Sequence, residues 1–142
     1  MAEYIPSALD WVREQVELYE SSGGTEGTLR KGFPCILVTH VGTKTGGIRK
    51  IPLIRVMVDK SYVLIGSFAG SPKHPDWVHN LRSNPDVEIR NETEVFKMRV
   101  REVTDEKERQ YLWDAGAKAF PPYNEYQEKT SRKIPVFIAE QS

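Results

Sequence analysis

The sequence predicts an α+β domain: a closed or nearly closed antiparallel barrel of six strands with peripheral helices. Three observations carry that expectation. Six short apolar stretches, the clearest alternating with period 2, are joined mostly by tight turns. Stretches of helical spacing lie before, between and after them. A length of 142 residues fits one domain, expected to span residues 1–142.

Ile5, Leu9, Val12, Val16 and Tyr19 recur at helical spacing and predict an amphipathic helix over 4–20, with Ser7 and Asp10 as a capping box. Its acidic polar face suits packing on the domain and not an anionic membrane surface. Ser21 to Pro34 reads as a loop. The barrel is expected over 34–142. Cys35–Val41 and Ile48–Val58 predict two strands, with Pro52 marking an edge or a bulge. Gly42 to Gly47 is short enough to close them into a hairpin. Tyr62–Phe68 predicts a third strand and Pro75–Ser83 a short helix stopped by Asn84-Pro85. Val87–Arg90 and Val95–Val103 follow as strands; in the second, Phe96, Met98 and Val100 face opposite to Lys97, Arg99 and Arg101. Thr104 is expected to cap a helix to about Lys118, and Pro121-Pro122 to break it. A short helix Tyr123–Lys129 and a last strand Ile134–Ala139 complete the chain.

Composition narrows the function. Charged residues make up 28% and hydrophobic residues 39%, an ordinary soluble balance with no run approaching a membrane span. One cysteine cannot form an internal disulfide, so the cytoplasm is the expected compartment, and Cys35 reads as a buried inert thiol. Twenty cations offset twenty anions, which argues against a nucleic-acid binder. The charges are nevertheless segregated: Gly27 to Val58 holds no acid but six cations, Arg30, Lys31, Lys44, Arg49, Lys50 and Arg55. Such a window suits a discrete anionic ligand, and equally a solvated basic face.

Motifs exclude more than they assign. His40, His74 and His79 lack the spacing of a zinc site, so no metal is expected. Lys44-Thr45 lacks the glycine of a phosphate loop, since position 39 is Thr39, and it leads into a strand. No Gly-x-Gly-x-x-Gly follows a strand. Two segments remain. In the hairpin, Lys44, Thr45, Arg49 and Lys50 can surround an anion while Gly42, Gly46 and Gly47 admit close backbone approach; the same residues also suit a plain tight turn. In Ile65-Gly66-Ser67-Phe68-Ala69-Gly70, small residues at a strand end suit a flat ring lying on the backbone, with Trp77 either beside it or simply a core anchor.

The Gly42-Thr43-Lys44-Thr45-Gly46-x-x-Arg49 hairpin, the Lys73-His74-Pro75-x-Trp77-x-His79-Asn80-Leu81-x-x-Asn84-Pro85 segment and Pro121-x-Tyr123-x-x-Tyr126-Gln127 together resemble the deazaflavin-dependent nitroreductase and quinone reductase family. The resemblance runs from about Pro34 to the C-terminus. It implies a split β-barrel related to flavin-mononucleotide-binding barrels, and reduced coenzyme F-420 as hydride donor to a quinone, nitro or conjugated carbonyl acceptor. That coenzyme is a deazaflavin carrying a phosphodiester and an oligoglutamate tail. By similarity, Thr43, Lys44, Thr45 and Arg49 would hold phosphate and tail, and Lys50, Ile51, Pro52, Leu53 and Ile54 would line the ring's path. Ile65, Gly66, Ser67 and Phe68 would meet the ring edge. Asp76, Trp77, His79 and Asn80 would close the pocket, and Tyr123 would cover the ring. Tyr123, Tyr126 and Ser67 are the candidates to supply a proton, while the tyrosine pair also suits simple packing. This chain departs from the family at Thr43, where a second cation is usual, and at Phe68, where a lysine is common; Arg30, Lys31 and Lys73 are the cations that could compensate. Ile54 and Phe120 stand where nitroimidazole-activating members carry tyrosines. The expected partner is a small-molecule substrate, with the oligomeric state open. A flavin-mononucleotide enzyme on the same barrel and a non-catalytic F-420 carrier are the alternatives.

Overall fold

The computed structural model describes residues 3–141; residues 1, 2 and 142 of the expected domain lie outside these. The eight-stranded antiparallel sheet comprises β1 (Leu29–Arg30), β2 (Phe33–Val41), β3 (Ile48–Ile54), β4 (Met57–Val58), β5 (Ser61–Ile65), β6 (Asp86–Asn91), β7 (Glu94–Glu102) and β8 (Val136–Gln141). Its order is β1-β2-β6-β7-β8-β5-β4, with β3 paired to β2. β3 and β4 therefore lie at opposite ends of the strand order, yet only Arg55 and Val56 separate them in sequence. A connection that short reaches at most ~11 Å, so the sheet must curl until its ends meet. β3 and β4 are not paired to each other, which leaves the barrel split at this seam.

Side chains alternate across the curled sheet. Ile36 and Val38 of β2 point into the barrel with Tyr62, Leu64, Phe137 and Ala139, where helix α2 (Asp76–Ser83) adds Trp77, Val78 and Leu81. Cys35 and Leu37 point the other way, under helix α1 (Asp10–Ser21), against Val12, Val16 and Tyr19. Val63, Ile65, Val136 and Ile138 meet helix α3 (Glu106–Ala119) and helix α4 (Pro122–Lys129) through Leu112, Trp113, Phe120 and Tyr123. Burying such side chains contributes roughly 1.5–3 kcal/mol each. Phe96, Met98 and Val100 turn inward as the alternation predicted, and Pro52 sits on β3, whose one strand partner is β2. Cys35 is buried, and burial pushes its thiol up to about 11.

Several boundaries differ from the sequence expectation. The first helix starts at Asp10, not near residue 4, because residues 3–5 extend the edge of β3: Ile5 N–H donates to Ile48 O and Ile48 N–H to Glu3 O, both at 2.8 Å. Ile5 consequently lies off the helix. Ser7 makes no capping box; its hydroxyl accepts from Leu9 N–H at 3.1 Å while Leu9 is the N-cap. The strand expected over Ile48–Val58 is interrupted at Arg55–Val56, where the chain crosses between the sheet's ends, and β1 forms within the expected loop Ser21 to Pro34; eight strands replace six. The third strand stops at Ile65, and Phe68–Gly70 form a 3-10 turn. Asp105, not Thr104, caps α3, accepting from Glu108 N–H at 2.9 Å, since Val103 is still bonded to Val136. The last strand is displaced to Val136–Gln141.

One glycine fixes how α4 meets the 3-10 turn. Gly70 has φ +79°, and a Cβ there would lie 2.9 Å from the Tyr126 carbonyl oxygen. Gly70→Ala is expected to lower stability by about 2 kcal/mol in urea unfolding, combining left-handed strain with a backbone clash. An unchanged urea midpoint would contradict this packing.

Candidate active site

The split of the barrel opens a cleft of about 450 Å³, within the range of small-molecule sites. One wall is the edge strand β3 from Arg49 to Ile54, and residues Ser7 to Val12 lie over it. The other wall is Ile65, Ser67, Phe68 and Ala69, followed by Pro75, Asp76, Trp77 and Asn80 at the start of α2. Phe120, Tyr123 and Tyr126 close one end.

β3 grades the cleft chemically. Its cleft-lining stretch begins with Arg49 and Lys50 and ends, roughly 17 Å along, at Ile54 among the aromatic rings. Among the described residues Arg49 pairs with no carboxylate, and neither does Arg30 or Lys31, which lie toward the aromatic end, where Arg30 is the register partner of Phe33 and the Phe33 ring meets Phe120. Lys50 is committed to Glu20 at 2.6 Å, which ties α1 to β3. The Arg30 guanidinium lies 3.8 Å above the Trp11 ring, so a half-exposed indole fixes a cation at the cleft mouth. At the aromatic end, Phe120 contacts Tyr123 edge-on at 5.0 Å, and Tyr126 lies 6.4 Å from Tyr123.

The turn after β5 is strained and clamped. Phe68 and Ala69 have φ of 46° and 52°, each costing on the order of 1–3 kcal/mol in a non-glycine residue. Arg132, from the segment before β8, donates to Ser67 O at 2.7 Å, Ser71 O at 2.8 Å and Gly66 O at 3.1 Å. Its Nη1 also lies 2.8 Å from His74 Nδ1, which must therefore be unprotonated; burial and the Arg132 charge both hold the His74 pKa below its ordinary value.

Three polar side chains each present one unbonded polar atom toward the cleft. Among the described residues no side chain or backbone group bonds the Ser67 or Tyr123 hydroxyl, and no buried side-chain nitrogen or oxygen lacks a partner, so both hydroxyls reach open space. Burial raises the Tyr123 pKa well above that of an ordinary phenol, which keeps the hydroxyl protonated as a hydrogen-bond donor. Tyr126 is half-buried, with Lys31 Nζ 3.5 Å from its hydroxyl. His40 is the third group, 4% exposed, and burial first, then the Arg49 charge, lowers its pKa to about 4.

Of the residues singled out in the sequence, Arg49, Lys50, Ile51, Pro52, Leu53, Ile54, Ile65, Ser67, Phe68, Asp76, Trp77, Asn80, Tyr123 and Tyr126 line this one cleft. Thr43, Lys44, Thr45, Gly66 and His79 do not. Thr45 caps its own turn, accepting from Gly47 N–H at 3.1 Å, and Thr43 bonds Asn80 from outside. Ser7, Leu9, Trp11, Val12, His40 and Pro75 line it without any sequence expectation that they would, whereas Ala69 belongs to the small-residue segment expected beside a flat ring. Pro75, flanking the recognised Trp77, was within reach of the motif; the others depend on long-range packing. Among the described residues no group of three potential metal ligands occurs, and no helix is long and apolar enough to cross a membrane.

A split barrel with a graded, partly basic cleft defines a class of cofactor-binding folds, and comparison narrows it. The F-420H(2)-dependent quinone reductase family profile matches residues 11–141. The chain belongs to that family. It is 32% identical over 124 residues to the F-420H(2)-dependent quinone reductase Rv1261c of Mycobacterium tuberculosis, covering 85% of this chain and 83% of the relative. A solved F-420-H2 dependent reductase, FDR-A, is 42% identical with a TM-score of 0.71, over 75% of this chain and 94% of that one. A second 42%-identical structure, described as a domain-swapped dimer, superposes with a TM-score of 0.74 over 94% of this chain and 100% of that one. The heme storage protein HutZ of Vibrio cholerae shares the fold alone, at 14% identity and a TM-score of 0.58 over 87% of each chain.

The buried neutral imidazole gives a pH signature. An unfolded His40 gains its proton below about pH 6.5, the folded one only near pH 4. The neutral ring's contribution is thus complete above pH 6.5 and is lost as pH falls toward 4, amounting to about 3 kcal/mol. Urea midpoints measured from pH 7.5 to 4.5 should fall more steeply for the parent than for His40→Gln. Parallel curves would contradict the assignment.

Proposed function

We propose that this protein transfers a hydride from reduced coenzyme F-420 to a quinone, or to a nitro or conjugated carbonyl compound, within the split-barrel cleft. The observation that carries the proposal is the grading of β3, from Arg49, which pairs with no carboxylate among the described residues, to apolar Ile54, along one continuous wall. A deazaflavin with an anionic tail has the same gradient. When bound, the reduced coenzyme supplies two electrons and a proton together as one hydride.

The residues present fit that group. Arg49 would receive the phosphodiester and the first of the glutamates; Lys44 and Thr45 would reach only the outer tail. Ile51 to Ile54 and Trp77 would flank the ring, and the backbone of Ile65 to Phe68 would meet its polar edge, where Arg132 holds the turn. Pre-organisation of that edge keeps the ordering cost of binding low. Quinone reduction also needs a proton. Tyr123, held as a neutral phenol, would donate a hydrogen bond to the developing oxyanion, with Tyr126 and Ser67 beside it; solvent at the open mouth would complete the protonation. Ile54 and Phe120 make the acceptor end apolar, which favours a quinone over a polar nitroimidazole. A single buried thiol supports a reducing, cytoplasmic setting.

Fluorescence titrations with oxidised F-420 and with flavin mononucleotide test the reading. F-420 should bind more tightly, and its advantage should shrink as salt rises from 0.1 to 1 M and the screening length falls from ~10 to ~3 Å. Equal affinities at low salt would overturn it in favour of a flavin enzyme.

Tyr123→Phe separates catalysis from binding. Turnover of a quinone is expected to fall about 100-fold, the scale of one lost oxyanion donor, while the F-420 dissociation constant stays within twofold. Parental turnover would make the tyrosine a packing residue.

A further inference from the structure

His40 has a defined proton and a defined direction. Thr43 N–H and the Thr43 hydroxyl both donate to Asn80 Oδ1, at 2.9 and 3.0 Å. That fixes the amide, so the atom 3.3 Å from His40 Nδ1 is Asn80 Nδ2, which can only donate. Nδ1 therefore accepts, and the proton of the neutral ring sits on Nε2. An imidazolium would set one N–H against another in a site that is 4% exposed. Among the described residues Nε2 has no hydrogen-bond partner, yet no buried side-chain nitrogen is left unpaired. Nε2 is thus open to solvent, and the opening available to this ring is the cleft that it lines. Across the ladder His40 is the register partner of Arg49, which also faces the cleft.

We infer that His40 is a ligand-binding residue: a neutral Nε2–H donor, set in that tautomer by Asn80 and Thr43, that shares an anionic oxygen of the ligand with Arg49. The inference rests on the F-420 reading above and refines it by placing the phosphodiester at this pair. A neutral donor beside a guanidinium adds a directed bond without burying a second positive charge. It also gives Thr43 a role. In place of a second hairpin cation, Thr43 anchors the amide that orients the histidine.

Two measurements test this. In the ligand-free protein labelled with nitrogen-15 at histidine, the His40 ring is expected as the Nε2–H tautomer, unchanged from pH 8 down to 5.5. An Nδ1–H tautomer, or titration in that range, would overturn the donor assignment without reference to any cofactor. Titrations then compare oxidised F-420 with its deazaflavin riboside, which lacks phosphodiester and tail. His40→Phe should weaken F-420 binding about 10-fold, the scale of one charge-assisted hydrogen bond, and leave the riboside unaffected. His40→Gln, which retains an N–H donor, should recover most of the loss, and His40→Leu serves as the donor-deleting probe if the phenylalanine variant fails to fold. An F-420 titration of the phenylalanine variant, or of the leucine variant in its place, that overlays the parent would overturn the inference, as would equal losses for F-420 and riboside. A parent that binds neither compound overturns the functional reading and the phosphodiester assignment with it, while the tautomer still reports on His40 alone.

Discussion

The guanidinium of Arg132 is the constraint on which the cleft depends. It bonds three carbonyls of one turn and the ring of His74, with no carboxylate partner among the described residues. Two non-glycine residues of that turn sit at positive φ. Hydrogen bonds to a charged group contribute about 1.5–3 kcal/mol each, enough together to offset the strain. The clamp sets Ser67 and Phe68 on the cleft, leads the chain into Pro75 and α2, and presents Gly70 to the backbone of α4. Trp77 and Tyr123, on different helices, are thereby referenced to one side chain.

The opposite wall has a different origin. Because only two residues join β3 to β4, the sheet must curl, and because β3 carries Pro52 and keeps a free edge, the curl does not close. Function and incomplete closure are thus linked. A strand paired on both sides could not turn its backbone edge toward a ligand. The segment before α1 covers part of that edge through Glu3 and Ile5, protecting it from pairing with another chain.

How much of this was legible in the sequence follows from the range of each interaction. The apolar run in β2, period-2 alternation in β7, helical spacing in α1 and turn chemistry at Gly42–Gly47 are local, and they set the fold class. Arg49 and the Ile65–Phe68 wall were legible because an acid-free window and a small-residue strand end are local as well. The start of α1 was not, since residues 3–5 are drawn out of the helical pattern by a strand more than forty residues away. Arg132 and His40 were illegible for the same reason: their partners lie 58–66 and 40 positions distant, and neither belongs to a motif. The Lys44-Thr45 pair was the converse case, a conspicuous local signal on a turn that stands outside the cleft.

Family membership and the graded wall converge on one reaction, and anaerobic single turnover examines it most directly. The protein would be mixed with one equivalent each of reduced F-420 and a simple quinone such as menadione, with the coenzyme also prepared carrying deuterium at its hydride-donating carbon. The expected result is one equivalent each of oxidised coenzyme and hydroquinone, formed more slowly from the deuterated donor. Tight binding of the reduced coenzyme with no oxidation by any quinone, nitro or enone acceptor would contradict the account and leave a carrier in its place.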